Sequence, residues 1–253
     1  MAATLIRCIA CDIVGSTNGE ALARARAGET GPLWITARAQ TAGRGRRGRV
    51  WLSPPGNLYA TLLLCDPSPP ERAPQVSFVA ALAAHDAIAE IAADARPRLT
   101  LKWPNDLLCD GAKVAGILIE GEGSPVVLAV GIGVNCAHHP DEAAYPATDL
   151  RAAGLVVAPE SLFEALSRTM VARLRQWDRG RGFAAIRADW LARAHGLGGD
   201  IRVRLPEREV AGRFEALDRH GRLVLRRADG SAETVSAGDV FPINRGATAA
   251  AEQ

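Results

Sequence analysis

No stretch of this 253-residue sequence stays apolar for the roughly 20 residues that a bilayer-crossing helix needs, which excludes such a helix. The start, Met1-Ala2-Ala3-Thr4-Leu5-Ile6-Arg7, has no long apolar run behind a basic segment. No secretory signal is read there, and the expected location is the cytoplasm. Excess charge of either sign is lacking too: 30 basic residues face 28 acidic ones, a formal net charge of +2. A bulk nucleic-acid binder is usually more basic throughout, so any cationic chemistry here has to be local. Cysteines are few, odd in number and scattered, at 8, 11, 65, 109 and 136. Cys8 and Cys11 make a CxxC pair, but no second pair completes a four-ligand zinc site. The pair also lies in a strand-like run instead of opening a helix, as a thioredoxin-like motif would. All five therefore read as small apolar packers in a reducing compartment, and no residue is assigned as a metal ligand. Internal repeats are absent.

The rest of the composition is that of a soluble globular protein, with 48% hydrophobic and 23% charged residues. Its length accommodates one large domain and a small one. Ser16-Thr17-Asn18 ahead of Glu20 reads as a helix start, with Thr17 and Glu20 spaced as a capping box; the helix continues through Ala21 and stops at Gly28. Leu33–Ala37 and Leu58–Leu64 read as strands, the second broken by Pro67-Ser68-Pro69-Pro70. Val76, Val79, Ala83, Ala87 and Ile91 recur at helical spacing within 74–94, and His85 in that helix reads as a packed or half-exposed side chain. Leu99–Trp103 and Val114–Glu120 read as strands joined through the hairpin signal Asp110-Gly111. A further buried strand covers Val126–Cys136, and helices are expected over about 159–178 and 182–195. Gly196-Leu197-Gly198-Gly199 reads as a hinge, after which short β-runs and turns over Asp200–Phe241 predict a small barrel or sandwich. The residues from Gly246 to Gln253 read as a disordered tail.

Three constellations carry chemistry. The first is Gly43-Arg44-Gly45-Arg46-Arg47-Gly48-Arg49-Val50-Trp51, where four arginines alternate with three glycines before a tryptophan. Glycine lets backbone N–H groups approach an anion, and the guanidinium forks suit phosphate or carboxylate. By letter this run matches the dinucleotide fingerprint, yet that fingerprint must open a helix, and here Leu52-Ser53-Pro54-Pro55 follows. The P-loop spacing is missing as well. An RGG-type RNA contact is usually long and disordered, whereas this run is short and lies between two expected strands, which favours an ordered site or a lid. The second constellation is Lys102-Trp103-Pro104-Asn105-Asp106 with Lys113 after the hairpin. Lysine is rarely buried without a charge partner, so Lys113 among small apolar residues is either functional, part of a structural Lys–Asp pair, or turned to solvent. The third is Gly131-Ile132-Gly133-Val134-Asn135: two glycines on one strand face admit a ligand or another backbone, and Asn135 offers an amide to a base edge. Taken alone, a glycine-relieved bend capped by asparagine explains it better.

Ser16-Thr17-Asn18, Gln40 before the arginine loop, Lys102-Trp103-Pro104-Asn105-Asp106, Lys113-x-x-Gly116-Ile117-Leu118-x-Glu120 and Gly131-x-Gly133-x-Asn135 share one order and spacing. In this the chain closely resembles the biotin protein ligases over roughly residues 10–240. The resemblance implies an α+β fold. A catalytic domain of the biotin/lipoate ligase, class II synthetase-like type, with a mixed β-sheet flanked by helices, would cover 1–195. A small SH3-like β-barrel would cover 196–245, with 246–253 as the tail. It implies synthesis of biotinyl-5′-AMP from biotin and ATP with magnesium, then transfer of biotin to one lysine of the biotin carboxyl carrier domain of a carboxylase.

Residue by residue, the resemblance implies that Lys113 lies between the biotin carboxylate and the α-phosphate, where fixed cations stabilise transition-state charge. Arg44, Gly45 and Arg46 would close over biotin and the phosphates. Arg46, Arg47, Arg49 and Asn105 would serve the nucleotide, with Trp51 packing near the adenine and Asn135 bonding its edge. Ser16, Thr17, Asn18 and Gln40 would hydrogen-bond biotin's ureido ring and its carboxylate side, and Gly116 would let backbone lie close to the ligand. Asp106, partnered by Lys102, would act in transfer as base or as orienting group. The arginine loop is expected to be mobile when empty and ordered when occupied. Val50 departs from the basic or polar residue of many relatives. Only 15 residues precede Ser16, so a ligase-only form without a winged-helix DNA-binding domain is expected, with no DNA or membrane partner and either a monomer or a homodimer. The nearest alternative is a lipoate or octanoate protein ligase, which shares fold and carrier-lysine chemistry. The other is a nucleic-acid module, which predicts binding that falls steeply with salt.

Overall fold

A strand with one face on each of two layers must alternate its side chains, and Leu58–Cys65 (β3) does so. Leu58, Ala60, Leu62 and Leu64 enter the main hydrophobic core, while Leu63 enters a smaller cluster on the opposite face. The computed structural model describes residues 6–141 and 145–243. The tail expected over 246–253 lies outside the described residues. The strands before β3 are β1 (Arg7–Val14) and β2 (Leu33–Gln40). After it come β4 (Leu99–Lys102), β5 (Asp106–Cys109), β6 (Ala112–Glu122) and β7 (Val127–Val134). They form one seven-stranded sheet in the order β1-β2-β3-β7-β6-β5-β4. The β1–β2 pair is parallel and the other pairs are antiparallel, so the sheet is mixed.

Helices cover both faces. α2 (Val76–Ile91) and α3 (Pro159–Trp177) pack on the face that carries the main core. α1 (Thr17–Arg26) packs on the other face over Leu33, Ile35, Leu63 and Ala129. α2 is apolar on nearly every side because α3, the short α4 (Phe183–Leu191) and the sheet all bury it. His85 is accordingly packed in that helix, 4% exposed, with Nδ1 3.1 Å from Asp86 Oδ1. Trp34 of β2 is fully buried and meets Phe163 of α3 edge-on at 5.5 Å, a contact worth about 0.5–1.5 kcal/mol beyond its burial.

The C-terminal strands are β8 (Asp200–Arg204), β9 (Glu209–Leu217), β10 (Leu223–Arg226), β11 (Ala232–Val235) and β12 (Asp239–Pro242). They make an antiparallel five-stranded sheet in the order β11-β10-β9-β8-β12. Its inward residues Ile201, Val203, Phe214 and Leu225 join the same core as α2 and α3. The Trp103 indole N–H donates to the Gly221 carbonyl at 3.0 Å, tying the motif after β4 to the β9–β10 turn.

Several expectations change. Asp110-Gly111 is a turn with positive φ at both residues, as a tight hairpin requires, but it joins β6 to β5 instead of to Leu99–Trp103. No side-chain cap forms at Ser16, and the capping-box reading fails because the Thr17 N–H is bonded by Gln40 Oε1 at 2.8 Å. The glycine segment 196–199 is no free hinge: Gly198 N–H bonds Phe214 O, and Phe214 N–H bonds Gly199 O. Cys8 is exposed on the edge strand β1, so it is not a packer, whereas Cys109 and Cys136 are buried.

Candidate active site

The α1-side face of the sheet opens into a cavity of about 490 Å³. Its floor follows from strand register. Gly116 of β6 pairs with Gly133 of β7, and Leu118 pairs with Gly131. With no side chains at 116 and 133, the floor is bare enough for the Trp51 indole to lie on it. A Cβ at Gly133 would stand 2.7 Å from Trp51 Nε1, and one at Gly116 would stand 3.2 Å from its ring. The Trp51 Nε1–H is buried there with no acceptor among the described residues.

Counting back from Gly116, strict alternation would turn Lys113 toward the helix layer. A register shift in the β5–β6 pairing adds a residue, and both Val114 and Ala115 enter the core. Lys113 is thereby returned to the cavity face, with Nζ 3.3 Å from the point a Gly116 Cβ would occupy. The adjoining segment locks its backbone: Lys113 N–H donates to Pro146 O at 2.7 Å, and Thr148 N–H donates to Lys113 O at 2.9 Å.

Asp106 opens β5 directly opposite Lys102 of β4. Its carboxylate lies 2.8 Å from Lys102 Nζ and 2.6 Å from Lys113 Nζ. Burial opposes ionisation of Asp106, but the ammonium groups of Lys113 and then Lys102 outweigh it and hold the carboxyl below its ordinary range. Lys102 also sits 4.3 Å from the Tyr145 ring centroid, and Lys113 lies 5.2 Å from that of Trp51. Of the readings open for Lys113, the solvent-facing one is excluded.

The arginine loop closes over this floor. Arg44 and Val50 pair across it, Gly45 N–H bonds Arg49 O at 2.7 Å, and Arg47 adopts the left-handed region at φ 58°. Arg46 reaches Asn105 Oδ1 at 3.0 Å and the Gly238 carbonyl at 3.3 Å. Burial works against its charge, and Asp239 and Asp106 offset part of that cost. Arg49 and Arg47 pair with Asp239 at 2.8 and 3.3 Å. Burial opposes ionisation of Asp239 as well, yet Arg49, Arg47 and Arg46 hold it below the usual carboxylate range. The loop is thus docked on β12 of the C-terminal sheet.

At the other end the lining is neutral. Gln40 Oε1 accepts from Thr17 N–H and lies 3.1 Å from Thr17 Oγ1, while its Nε2 donates to Ser53 Oγ at 2.9 Å. Asn18 sits in the hollow left by Gly131, where a Cβ would come within 2.4 Å of Oδ1. Thr61, fully buried in β3, bonds both Thr17 Oγ1 and Asn18 Oδ1. Asn135 is buried at the end of β7, its amide donating to Thr148 O at 3.0 Å.

Of the expected site residues, Ser16, Thr17, Asn18, Gln40, Arg44, Gly45, Arg46, Arg49, Trp51, Lys102, Asn105, Asp106, Lys113, Gly116 and Asn135 all line the cavity. Arg47 does not; its guanidinium faces Asp239. Sequence reasoning missed Ser53, Thr61, Asp239 and the role of Glu120, which bonds Arg44 and Asn18. The one aliphatic hydroxyl in the apolar run Leu58–Cys65 was the available signal for Thr61.

Residues 20–136 match the model of the biotin/lipoate A/B protein ligase family, and residues 196–241 match the biotin protein ligase C-terminal domain. A biotin–[acetyl-CoA-carboxylase] ligase of Paracoccus denitrificans is 45% identical over 89% of this chain and 96% of that protein. The chain belongs to the biotin protein ligase family. Among solved structures, the biotin protein ligase of Aquifex aeolicus in complex with biotin and ATP superposes with a TM-score of 0.78 at 26% identity, covering 93% of this chain and 97% of the other. The Leishmania major biotin protein ligase in complex with biotinyl-5-AMP gives a TM-score of 0.67 at 29% identity, covering 91% and 99%. The family's mixed sheet and C-terminal module are those described above.

Proposed function

We infer that this chain is a biotin protein ligase that joins biotin to AMP at the expense of ATP and then passes biotin to a lysine of a carboxylase carrier domain. One observation carries the reading: a single cavity joins a neutral hydrogen-bonding end to a cationic end. The neutral end, Ser16, Thr17, Asn18 and Gln40, suits an uncharged ureido ring, whose buried polar atoms cost about 1–3 kcal/mol each if left unpaired. The cationic end, Lys113, Lys102, Arg44, Arg46 and Arg49, suits the place where a carboxylate meets a phosphate.

In the first half-reaction a biotin carboxylate oxygen bonds to the α-phosphorus of ATP and pyrophosphate leaves. Both reactants are anions, so their approach needs fixed positive charge. Lys113 and Arg46 supply it on this reading, with Arg44 toward biotin and Arg49 toward the outer phosphates, while Arg47 stays on Asp239 and holds the loop. The Gly116–Gly133 floor suits a flat base against Trp51, with Asn105 and Asn135 beside it. In the second half-reaction the acceptor amine bonds to the biotinyl carbonyl carbon and AMP leaves. Asp106 is a poor base for that amine, because two lysines hold its carboxyl below the ordinary range. The geometry supports an orienting role, in which Asp106 fixes Lys102 and Lys113.

No group of three or more His, Cys, Asp and Glu side chains among the described residues could hold a metal ion. Magnesium is therefore written as part of the substrate, carried in on the nucleotide phosphates. No helix among the described residues is long and apolar enough to cross a membrane. A cytoplasmic setting, with ATP at hand, belongs to the same reading. So does the division into a catalytic part over 1–195 and a C-terminal module over 196–245, which the matched residues 20–136 and 196–241 support.

The test is to combine the protein with biotin, ATP, magnesium and a carrier domain and to detect biotinylated carrier with labelled streptavidin. Lipoate or octanoate is offered in place of biotin in parallel. Pyrophosphate release promoted by either of those acids and not by biotin overturns the reading.

A further inference from the structure

Glu120 stands on β6, two positions beyond Leu118 on the same face, behind the residues that line the cavity. Two distant chain segments meet on its carboxylate. Arg44 of the arginine loop donates to both oxygens, at 3.0 and 3.1 Å. Asn18, at the start of α1, donates from Nδ2 at 2.8 Å. The same Nδ2 lies 3.3 Å from the Leu118 carbonyl. On the opposite edge of the amide, Asn18 Oδ1 takes a hydrogen bond from Thr61 at 2.7 Å.

An asparagine amide offers two donors and a carbonyl oxygen, and the two ends are similar enough in shape to exchange by a flip. What prevents the flip is the chemistry of the neighbours. A carboxylate paired with arginine only accepts, and a backbone carbonyl only accepts, so both Nδ2 hydrogens turn toward Glu120 and Leu118. Asn18, which lines the neutral end of the cavity, then keeps on its oxygen one lone pair beyond the Thr61 bond. The same carboxylate holds Arg44 through Nη2, which is shared between its two oxygens, so the loop and the amide take their positions from one group.

We propose that Glu120 is a positioning residue for biotin recognition, fixing Asn18 as an acceptor for a ureido N–H and holding Arg44 over the bound acid. This rests on the reading of residues 16–18 and 40 as the biotin end of the cavity. Glu120 touches no ligand itself; it acts through Asn18 and Arg44. Specificity follows from the polarity it imposes, since a ligand with a ring acceptor in place of that N–H would meet an oxygen.

The experiment measures biotin-dependent pyrophosphate release by the full chain, with KM for biotin and for ATP determined separately, for wild type, Glu120→Gln and Glu120→Ala. Glu120→Gln keeps the volume but removes the negative charge; its one oxygen can still take the Oε2 place and accept from Asn18 and Arg44, while its NH2 group puts a donor where Oε1 accepts from Arg44. The expected result is a rise in KM for biotin of about tenfold in Glu120→Gln and more in Glu120→Ala, a factor worth one or two hydrogen bonds. KM for ATP is expected to stay within about twofold. A biotin analogue methylated on the ureido nitrogen should lose less affinity, relative to biotin, in Glu120→Gln than in wild type. Unchanged KM for biotin in both variants overturns the proposal. So does an equal rise in both KM values with a lowered Tm, since that marks a role in the fold alone. Wild-type protein that releases no pyrophosphate with biotin defeats the functional reading instead, and the two failures are distinguished in one assay.

Discussion

Replacing Asp106 by Asn tests the centre of the site, because the substitution keeps the shape and removes one charge. In the structure the carboxylate lies 2.8 Å from Lys102 Nζ and 2.6 Å from Lys113 Nζ, and it is 10% exposed. Lys102 is 7% exposed, so its ammonium would be left buried without a counter-charge. Removing one partner of a buried pair costs about 3–5 kcal/mol. Lys113 is 26% exposed, which screens its share, so the lower end, about 3 kcal/mol, is expected. At roughly 2–4 °C per kcal/mol for a chain of this size, Tm should fall by roughly 6–12 °C. The pH dependence has a definite sign. The folded carboxyl titrates below its unfolded value of about 3.9, so its stabilisation is present above that pH and is lost as pH falls through the lower, folded value. The Tm gap between wild type and Asp106→Asn should therefore hold through neutral pH and close only in acid. For activity, freeing Lys113 should slow biotinyl-5′-AMP formation by about 10²-fold, the usual consequence of misplacing a reacting-centre group by about 1 Å. The assay is single-turnover pyrophosphate release without carrier, beside transfer from preformed adenylate. A variant that makes adenylate at the wild-type rate and fails only in transfer would refute the orienting argument and make Asp106 the base.

Three further outcomes are expected. Lys113→Ala should reduce adenylate formation by about 10²-fold or more, as loss of a fixed transition-state charge does, and wild-type turnover would remove Lys113 from the mechanism. Asp239→Ala removes two partly exposed ion pairs of about 0.2–1 kcal/mol each, so the loop should open about two- to thirtyfold more often; hydrogen exchange at residues 43–51 reads this, and unchanged exchange argues against the dock. In wild type the same amides should gain protection on adding biotin plus ATP, and equal protection with and without them contradicts a lid.

The layers of the fold were legible wherever a strand was long enough to show its alternation. β3 and β7 each sort their residues into core and cavity faces by the period-2 rule, and the spacing of the β7 glycines alone marks the cavity side. β5 was not legible. Its four residues, Asp106-Leu107-Leu108-Cys109, are too few for a period, and its polar first residue reads as part of the preceding turn. The register shift beside Lys113 was hidden for a related reason. A bulge is defined by the partner strand, and nothing in Ala112–Gly116 alone reveals it. The site shows the same divide. Residues that face the cavity stood out as polar groups in unusual local settings. Those that hold them did not: Asp239 is 190 residues from Arg49, and an exposed-looking Asp in a turn carries no sign of its partner.

The arginine loop is held at both ends by acids, and this bears on how it would work. Arg44 is tied to Glu120 on β6, while Arg47 and Arg49 are tied to Asp239 at the C-terminal sheet. With Lys102 and Lys113 on Asp106 and Arg46 on neutral acceptors, the six cationic groups of the site face three carboxylates. The protein's own acids neutralise half of the charge. What remains is sized for a nucleotide phosphate chain and one carboxylate, entering together. With all six charges uncompensated, mutual repulsion would work against closing the loop over an empty site. Neutralising all of them would leave the substrates nothing to bind. An arrangement in which each acid is shared with an incoming anion makes loop closure depend on both substrates at once, because Arg44 faces the biotin side of the cavity and Arg46 and Arg49 the phosphate side. Closure measured by exchange at residues 43–51 should then be stronger with biotin and ATP together than the product of their separate effects. Simple additivity would show that the two ends of the loop act independently.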